Sequence, residues 1–294
     1  MKSIIVGMGI GQLYYDVLVK LGHEVVTVDS DPNKNAAYTS VDAAITAHEH
    51  FDTAHICTPN FTHEAVARQL AANTDIVFVE KPGFVSEYQW RDFHEQFPNV
   101  RVIMVKNNQW RDTLATMQNL AKRSSKIDIN WINHDRVPRP GSWFTNQFLA
   151  WGGVSRDLLP HLLSIFIALD SSYIKRARIV TWTAHQRWRL EDITSSDYGT
   201  VDAAGVYNVD DVAALMYKVD NLIVNVRTEW RSMKGDDIAI HFYIDGEKHT
   251  VPLGLCPEEA YESMIKDCIA NRDNAEFWQN HYEQDLWIHQ QIQI

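Results

Sequence analysis

Three side chains in this sequence have the types needed to move a proton at a hydroxyl group: Lys81, Asp157 and His161. Asp157 and His161 are four residues apart, so on a helix they share one face and their side chains can meet. A histidine titrates near neutrality, and an adjacent carboxylate orients its tautomer and stabilises its cation as it takes a hydroxyl proton. Each residue alone has an ordinary explanation: an acid near a helix start, a satisfied histidine, a solvated lysine. Their surroundings change that balance. Lys81 lies in Glu80-Lys81-Pro82, where Pro82 fixes the following chain and is a candidate for the cis form. Asp157 and His161 follow Gly152-Gly153.

A second chemical feature opens the chain. Gly7-Met8-Gly9-Ile10-Gly11-Gln12 follows an apolar run, Ser3 to Val6, and leads into a helical pattern. A strand, a glycine turn and a helix in that order let main chain approach a pyrophosphate at a helix N-terminus. The turn is imperfect, because Gln12 stands where the third glycine of G-x-G-x-x-G belongs and Gly11 falls one residue early. Asp29 ends the next apolar run, where a carboxylate accepts hydrogen bonds from ribose hydroxyls and repels a 2'-phosphate. That favours NAD over NADP. As an alternative, Asp29-Ser30-Asp31-Pro32 is a good turn sequence by itself.

The elements that must position these groups follow from periodicity. Short β-rich runs at 3–6, 24–28, 54–57, 75–79 and 100–105 alternate with amphipathic stretches at 13–21, 62–72 and 87–97. This predicts βαβ units and a doubly wound parallel sheet. Ligands bind beyond the carboxyl ends of such strands, which places Thr58-Pro59-Asn60-Phe61-Thr62-His63 and Glu80-Lys81-Pro82 beside a nicotinamide. From about Asn108 the texture changes. A helix over 113–122 is followed by strands at 127–133, 177–184, 213–219, 222–231 and 238–244, with helices at 154–169, 257–270 and from 274 onward. The second half therefore reads as an α+β domain with a large open, mainly antiparallel sheet. The expected domains are 1–108 for the dinucleotide and 109–294 for substrate and oligomerisation, joined closely enough to share a cleft.

Composition excludes several classes. Lys and Arg number 27 against 38 Asp and Glu, giving a net charge of -11 that repels phosphate backbones and anionic lipid. Neither nucleic acid nor a membrane surface is an expected partner. Cys57, Cys256 and Cys268 lack metal-ligand spacing and suit a reducing cytoplasm. Lys2 runs directly into Ile4-Ile5-Val6, too short an apolar stretch for a leader or membrane span, so a cytoplasmic protein is expected.

The ordered set of a glycine turn, Thr58-Pro59-Asn60 with His63, Glu80-Lys81-Pro82, and Gly152-Gly153 with Asp157 and His161 resembles the Gfo/Idh/MocA oxidoreductases. Ser142-Trp143-Phe144 and Val209-Asp210-Asp211-Val212-Ala213 extend the resemblance over nearly the whole chain. It implies an N-terminal Rossmann domain, a C-terminal α/β domain whose open sheet serves as an oligomer interface in a homodimer or homotetramer, and a site between them. It also implies that Gly7, Gly9, Ile10, Gly11, Asp29, Thr58, Pro59, Asn60, His63, Glu80, Lys81 and Asn108 hold NAD. Lys81, Asp157 and His161 would then surround the reacting carbon of a sugar, cyclitol or sugar derivative, with His161 or Lys81 as the base. Separately, Trp110, Trp143 and Trp151 lie in segments that border the cleft, where an aromatic face suits the sugar ring of a small-molecule substrate, although core packing is the commoner role for each. The chain departs from the family at Gln12, at Tyr14-Tyr15 in place of a common histidine, and at Asn108-Gln109-Trp110-Arg111 in place of Asn-Arg-Arg. The rival expectations are an enzyme acting on a non-sugar carbonyl or a glycoside, and a non-catalytic dinucleotide-binding regulator.

Other features carry less. His48-Glu49-His50 alternates at a helix end and is expected on the surface without a metal. Arg136, Arg139 and Arg156 suit a substrate carboxylate or phosphate, and a solvated loop explains them equally well.

Overall fold

The computed structural model describes residues 1–292. The chain divides into two compact units, one formed by Met1–Trp110 together with the chain from Pro257 onward, the other by Arg111–Cys256.

The first unit is built on a parallel sheet of β1 (Lys2–Val6), β2 (Glu24–Val28), β3 (Phe51–Ile56), β4 (Thr74–Val79) and β5 (Arg101–Met104), in the order β2-β1-β3-β4-β5. Ile4, Ile5, Ala54, Ile56, Ile76, Val77, Phe78 and Val79 are all buried, as expected of strands covered on both faces. The crossovers are α1 (Gly11–Lys20), α2 (Val41–His48), α3 (His63–Leu70) and α4 (Glu87–Gln96). Ser40 and Ser86 begin α2 and α4 by accepting main-chain N–H groups with their hydroxyls. Strand order reverses direction between β1 and β3, so the carboxyl ends of those two strands, Gly7 and Cys57-Thr58, mark the binding crevice of a doubly wound sheet.

The second unit begins with α5 (Leu114–Arg123) and β6 (Lys126–Ile132), and continues through α6 (Gln147–Ala150), α7 (Val154–Asp157), α8 (Leu159–Leu169) and α9 (Tyr173–Arg176). Its remaining strands are β7 (Arg178–His185), β8 (Val212–Val219), β9 (Leu222–Glu229), β10 (Asp237–Ile244) and β11 (Glu247–Pro252). The sheet runs β11-β10-β6-β9-β8-β7, with β6 and β9 parallel and every other pair antiparallel. In β6 the inward residues Ile127, Ile129 and Trp131 are buried and alternate with half-buried Lys126, Asp128 and Asn130. The most apolar stretch of the chain supplies α8, whose Leu162, Leu163, Ile165, Phe166 and Ile167 are buried around its whole circumference.

Two expectations need correction in this unit. The single helix expected over 154–169 is two, because Pro160 has no N–H to continue the ladder and His161 bonds back to Leu158 over a tighter turn. Strand β11 was absent from the sequence reading. Its Glu-Lys-His-Thr run is polar and exposed, and it forms only as the edge partner of β10 across the Asp245-Gly246 turn, where both residues have positive φ.

The last helices, α10 (Glu258–Ala270) and α11 (Ala275–Ile292), were expected in the second domain and belong to the first unit. The physical reason is a buried ion pair. Lys106, 1% exposed, donates from Nζ to Asp285 Oδ1 and to the Met104 carbonyl at 3.2 Å, while Asp285 Oδ2 accepts the Met104 N–H at 3.1 Å. Burial lifts the Asp285 carboxyl to about 6 against the opposing pull of Lys106. Trp110 adds a second tie, donating from Nε1 to Asp267 of α10 at 3.0 Å and stacking on His281 of α11.

Breaking one partner of such a pair strands a buried charge. Lys106→Met is therefore expected to lose about 3–5 kcal/mol in urea unfolding, and a Lys106→Met/Asp285→Leu double variant to recover much of it. Equal losses in the two would show that the carboxylate tolerates isolation.

A pH dependence follows from His55, which stacks on Phe78 at 4.7 Å inside the first sheet, where burial pushes it down to about 3. Its folded value lies below the ordinary 6.5, so the unfolded chain takes the proton first. Its contribution is complete above pH 6.5 and is lost as pH falls toward 3, at up to about 1.4 kcal/mol per unit. His55→Gln is expected to flatten the fall of the urea midpoint between pH 6.5 and 4; an unchanged slope would exclude His55 as its source.

Candidate active site

At the carboxyl end of β1, Gly7 has φ +93°, and a Cβ there would lie 2.7 Å from the Cys57 carbonyl carbon of the neighbouring chain. Only glycine allows β1 and the chain after β3 to come so close. Gly9 has nothing within 4 Å of where a Cβ would be, so its main chain is open to a ligand. Gly11, the first residue of α1, lies where a Cβ would meet Ile5 Cγ2 at 2.8 Å. Gly11 thus performs the close helix-to-strand packing that a third glycine serves elsewhere, one residue early. Gln12 is exposed and donates to Asp16 along the helix, so its side chain does not obstruct the turn. Helix α1 has no side-chain cap and no acid in its first turn, which leaves its N-terminus able to receive an anion. Asp29 follows β2, and its carboxylate accepts Met8 N–H at 2.7 Å and Asp31 N–H at 2.9 Å. It braces the glycine turn and serves its own local turn at once.

Beyond β3, Thr58 accepts a hydrogen bond from Thr62 at 2.7 Å. His63 begins α3 and is buried, with Nδ1 2.8 Å from the Gly83 carbonyl and Nε2 2.8 Å from the Thr58 carbonyl. Both nitrogens face main-chain carbonyls, and a neutral ring donates to one of them at a time, so His63 braces either the Thr58 turn or the turn after Lys81. Burial holds its pKa down, and the nearby Lys81 charge acts the same way. Glu80 is buried and accepts the Tyr14 hydroxyl at 2.7 Å and the Lys81 N–H at 3.2 Å. Burial and the Glu80 charge push the Tyr14 hydroxyl far above its usual range, which keeps it a donor. Lys81 itself is half-buried, and the Lys81-Pro82 bond is cis.

In the second unit the start of α7 is held by Asp210, whose carboxylate accepts Gly153 N–H at 2.9 Å, Ser155 N–H at 2.8 Å and the Ser155 hydroxyl at 2.9 Å. A Cβ on Gly153 would lie 1.8 Å from the Asp210 carbonyl oxygen. The two sequence segments Gly152-Gly153 and Asp210-Asp211 are therefore one structural device. It sets the direction of the helix that ends in Asp157. Asp157 is half-buried and accepts the Trp230 Nε1–H at 2.9 Å. His161, one turn further in α8, is half-buried and stacks on Trp131 with centroids 5.8 Å apart. The pair lies on consecutive turns as the spacing predicts, across a helix junction instead of within one helix.

The remaining candidates divide. Asn108 is buried in the short turn after β5, and Trp143 is half-buried and stacked on Phe144 at 3.9 Å. Trp110, expected to border substrate, is committed to α10 and α11 as described above. Arg156 is buried in α7, with its pKa pushed down to about 10 by burial, so the solvated-loop reading does not apply to it. His48 contacts the Tyr38 hydroxyl and His50 lies by Asp75, and no group of three metal-ligating side chains occurs among the described residues. Sequence reasoning passed over Asn107. It is fully buried at the end of β5, and among the described residues neither its amide oxygen nor its amide nitrogen has a hydrogen-bond partner. A buried amide with both ends unmet is costly unless a polar ligand or water completes it.

Residues 4–107 match the model of an oxidoreductase family with an NAD-binding Rossmann fold, GFO_IDH_MocA. Over these residues the chain carries the NAD-binding Rossmann domain of that oxidoreductase family. Among relatives, it is 26% identical to a protein of Amycolatopsis mediterranei (strain S699) named as a UDP-kanosamine synthase oxidoreductase subunit, over 82% of this chain and 71% of that one. Among solved structures, GenD2 from gentamicin A biosynthesis, in complex with NAD, superposes with a TM-score of 0.76 at 16% identity, covering 99% of this chain and 92% of that one. The WlbA dehydrogenase from Bordetella pertussis, in complex with NADH and UDP-GlcNAcA, gives a TM-score of 0.72 at 15% identity over 99% and 96%. At such identities the likeness to these two is one of fold.

The residues of this Gfo/Idh/MocA domain fit NAD. An open glycine main chain, an uncapped helix N-terminus, a carboxylate after β2 and an unmet amide after β5 are the donors and acceptors that a dinucleotide requires. Gly9, Ile10 and Gly11 would take the pyrophosphate and Asp29 the adenosine ribose, with the Thr58-Pro59-Asn60 turn and Glu80-Lys81 at the nicotinamide end. Because a 2'-phosphate would meet the Asp29 carboxylate, tryptophan quenching is expected to show at least tenfold tighter binding of NADH than NADPH. Asp29→Ala should narrow that ratio; equal affinities in the wild-type protein would remove Asp29 from the selectivity.

Proposed function

We propose that this chain catalyses reversible hydride transfer between NAD and a secondary alcohol or ketone of a sugar, cyclitol or sugar derivative, with nucleotide sugars the first class to test. The observation that carries the reading is His161, a half-buried imidazole stacked on Trp131, one turn beyond a carboxylate fixed by Trp230. In the oxidation direction His161 takes the proton of the substrate hydroxyl, and Asp157 stabilises the resulting imidazolium. Lys81 of the first unit is the second candidate base, and its ammonium is suited to donate to a substrate oxygen. NAD held by the glycine turn and Asp29 would supply the hydride acceptor for the carbinol carbon. The nucleotide-sugar preference is supported by the UDP-sugars named for the Amycolatopsis relative and the Bordetella structure. The Arg136 guanidinium, 5.7 Å over the Tyr198 ring, and the exposed Arg139 nearby would suit a diphosphate.

The test is a screen of UDP-sugars, free sugars and cyclitols with NAD, read by the absorbance of NADH. With the substrate so found, His161→Ala and Lys81→Met are each expected to bind NADH normally and to lose about 10²-fold or more in turnover. Turnover unchanged in both variants would refute the assignment of the proton transfer, and NADH binding without turnover of any class would favour a dinucleotide-binding regulator.

A further inference from the structure

The turn that follows Lys81 is gripped by a histidine that the proposed reaction does not use. Gly83 has φ +77°, and a Cβ there would lie 2.8 Å from Cε1 and Nε2 of His289, so the ring lies directly against the glycine. His289 is fully buried on α11, with its ring 5.1 Å from that of Trp90. Its Nε2 is 3.3 Å from the Phe84 main-chain nitrogen, and its Nδ1 is 2.7 Å from the Asp285 carbonyl oxygen. These partners decide the tautomer. A main-chain N–H can only donate, so Nε2 carries the lone pair; a carbonyl can only accept, so Nδ1 carries the hydrogen. On the opposite side of the turn the Gly83 carbonyl faces His63 Nδ1 at 2.8 Å.

We propose that His289 is a positioning residue: its neutral ring, with the hydrogen on Nδ1, fixes the turn behind Lys81 by accepting the Phe84 N–H. Helix α11 delivers this ring because Asp285, one helical turn earlier, is locked by Lys106 and the Met104 N–H. The carbonyl of that same Asp285 receives the Nδ1 hydrogen, so one residue fixes both the height of the helix and the tautomer of the ring. The Gly83 C=O and the Phe84 N–H are the two ends of one peptide group, which thus lies between two histidines from different elements, His63 and His289. The catalytic meaning of this grip rests on the function proposed above, whereas the grip itself does not.

The experiment uses the full chain with histidine and phenylalanine labelled with ¹⁵N. Long-range ¹H–¹⁵N spectra at pH 7.5 are expected to show His289 hydrogenated at Nδ1 alone, and the Phe84 amide to be protected from exchange. His289→Leu is expected to speed Phe84 exchange at least tenfold, while His289→Gln, whose amide oxygen can replace Nε2 as acceptor, restores protection to within about threefold. The rate of Lys81 acetylation by acetic anhydride, read by mass spectrometry, should shift at least threefold in the Leu variant and return in the Gln variant. An Nε2–H or doubly protonated ring in the wild-type protein overturns the proposal, as does Phe84 protection or Lys81 reactivity that is the same in the Leu variant. None of these readouts needs a substrate, so absence of turnover in the screen would count against the proposed function alone.

Discussion

A carboxylate that cannot reach water governs how this chain closes. Asp285 is fully buried, and it is tolerated only because Lys106 Nζ and the Met104 N–H surround it. Both partners stand at the end of β5, the last strand of the parallel sheet, so the pairing draws the chain's final helix back onto its first unit. The consequence passes along α11. With Asp285 fixed, His289 is placed one turn later against Gly83, and the turn behind Lys81 acquires a wall on that side. The position of a candidate catalytic lysine in the first third of the sequence therefore depends on residues close to its end.

The second unit uses the same physical economy in another form. Asp210 places its carboxylate over the N-terminus of α7, where three hydrogen bonds and the favourable end of the helix dipole compensate its charge. The adjacent Asp211 turns the other way and accepts Arg187 N–H, Trp188 N–H and the Tyr207 hydroxyl, while burial raises its pKa. Two consecutive acids thus organise two loops, one that begins the Asp157 helix and one that follows β7. In a chain with a net charge of -11, these two carboxylates are compensated by main-chain and hydroxyl donors.

Much of this was legible in the sequence, for identifiable reasons. The five parallel strands read clearly because strands buried on both faces are continuous apolar runs, and the glycine turn read clearly because strand, glycines and helix follow one another directly in sequence. The edge strand β11 did not, since a polar, solvent-exposed edge lacks alternation and is specified by its hairpin partner. The return of α10 and α11 to the first unit was invisible because the Lys106 and Asp285 pairing spans most of the chain and neither residue has a local signature. Gln12 looked like a defect when judged by motif position, yet the packing need that the motif encodes is met by Gly11 against Ile5. Trp110 shows the other reading of an aromatic residue close to the site in sequence, since it anchors helices.

The choice of His161 as the proton acceptor also gains a physical argument that no motif supplies. A base must be able to hold its proton, and burial denies this to most of the chain's interior histidines. It pushes His55 down to about 3 and His94 to about 4, and holds His63 and His281 below their ordinary value. Those rings are confined to the neutral form, in which they can brace turns and fill cores. His161 is half-buried, with its ring stacked on Trp131 and a carboxylate on the preceding turn. An indole face and a nearby carboxylate are the kinds of neighbour that favour an imidazolium. The burial that suits His63 to bracing a turn would make it a poor base.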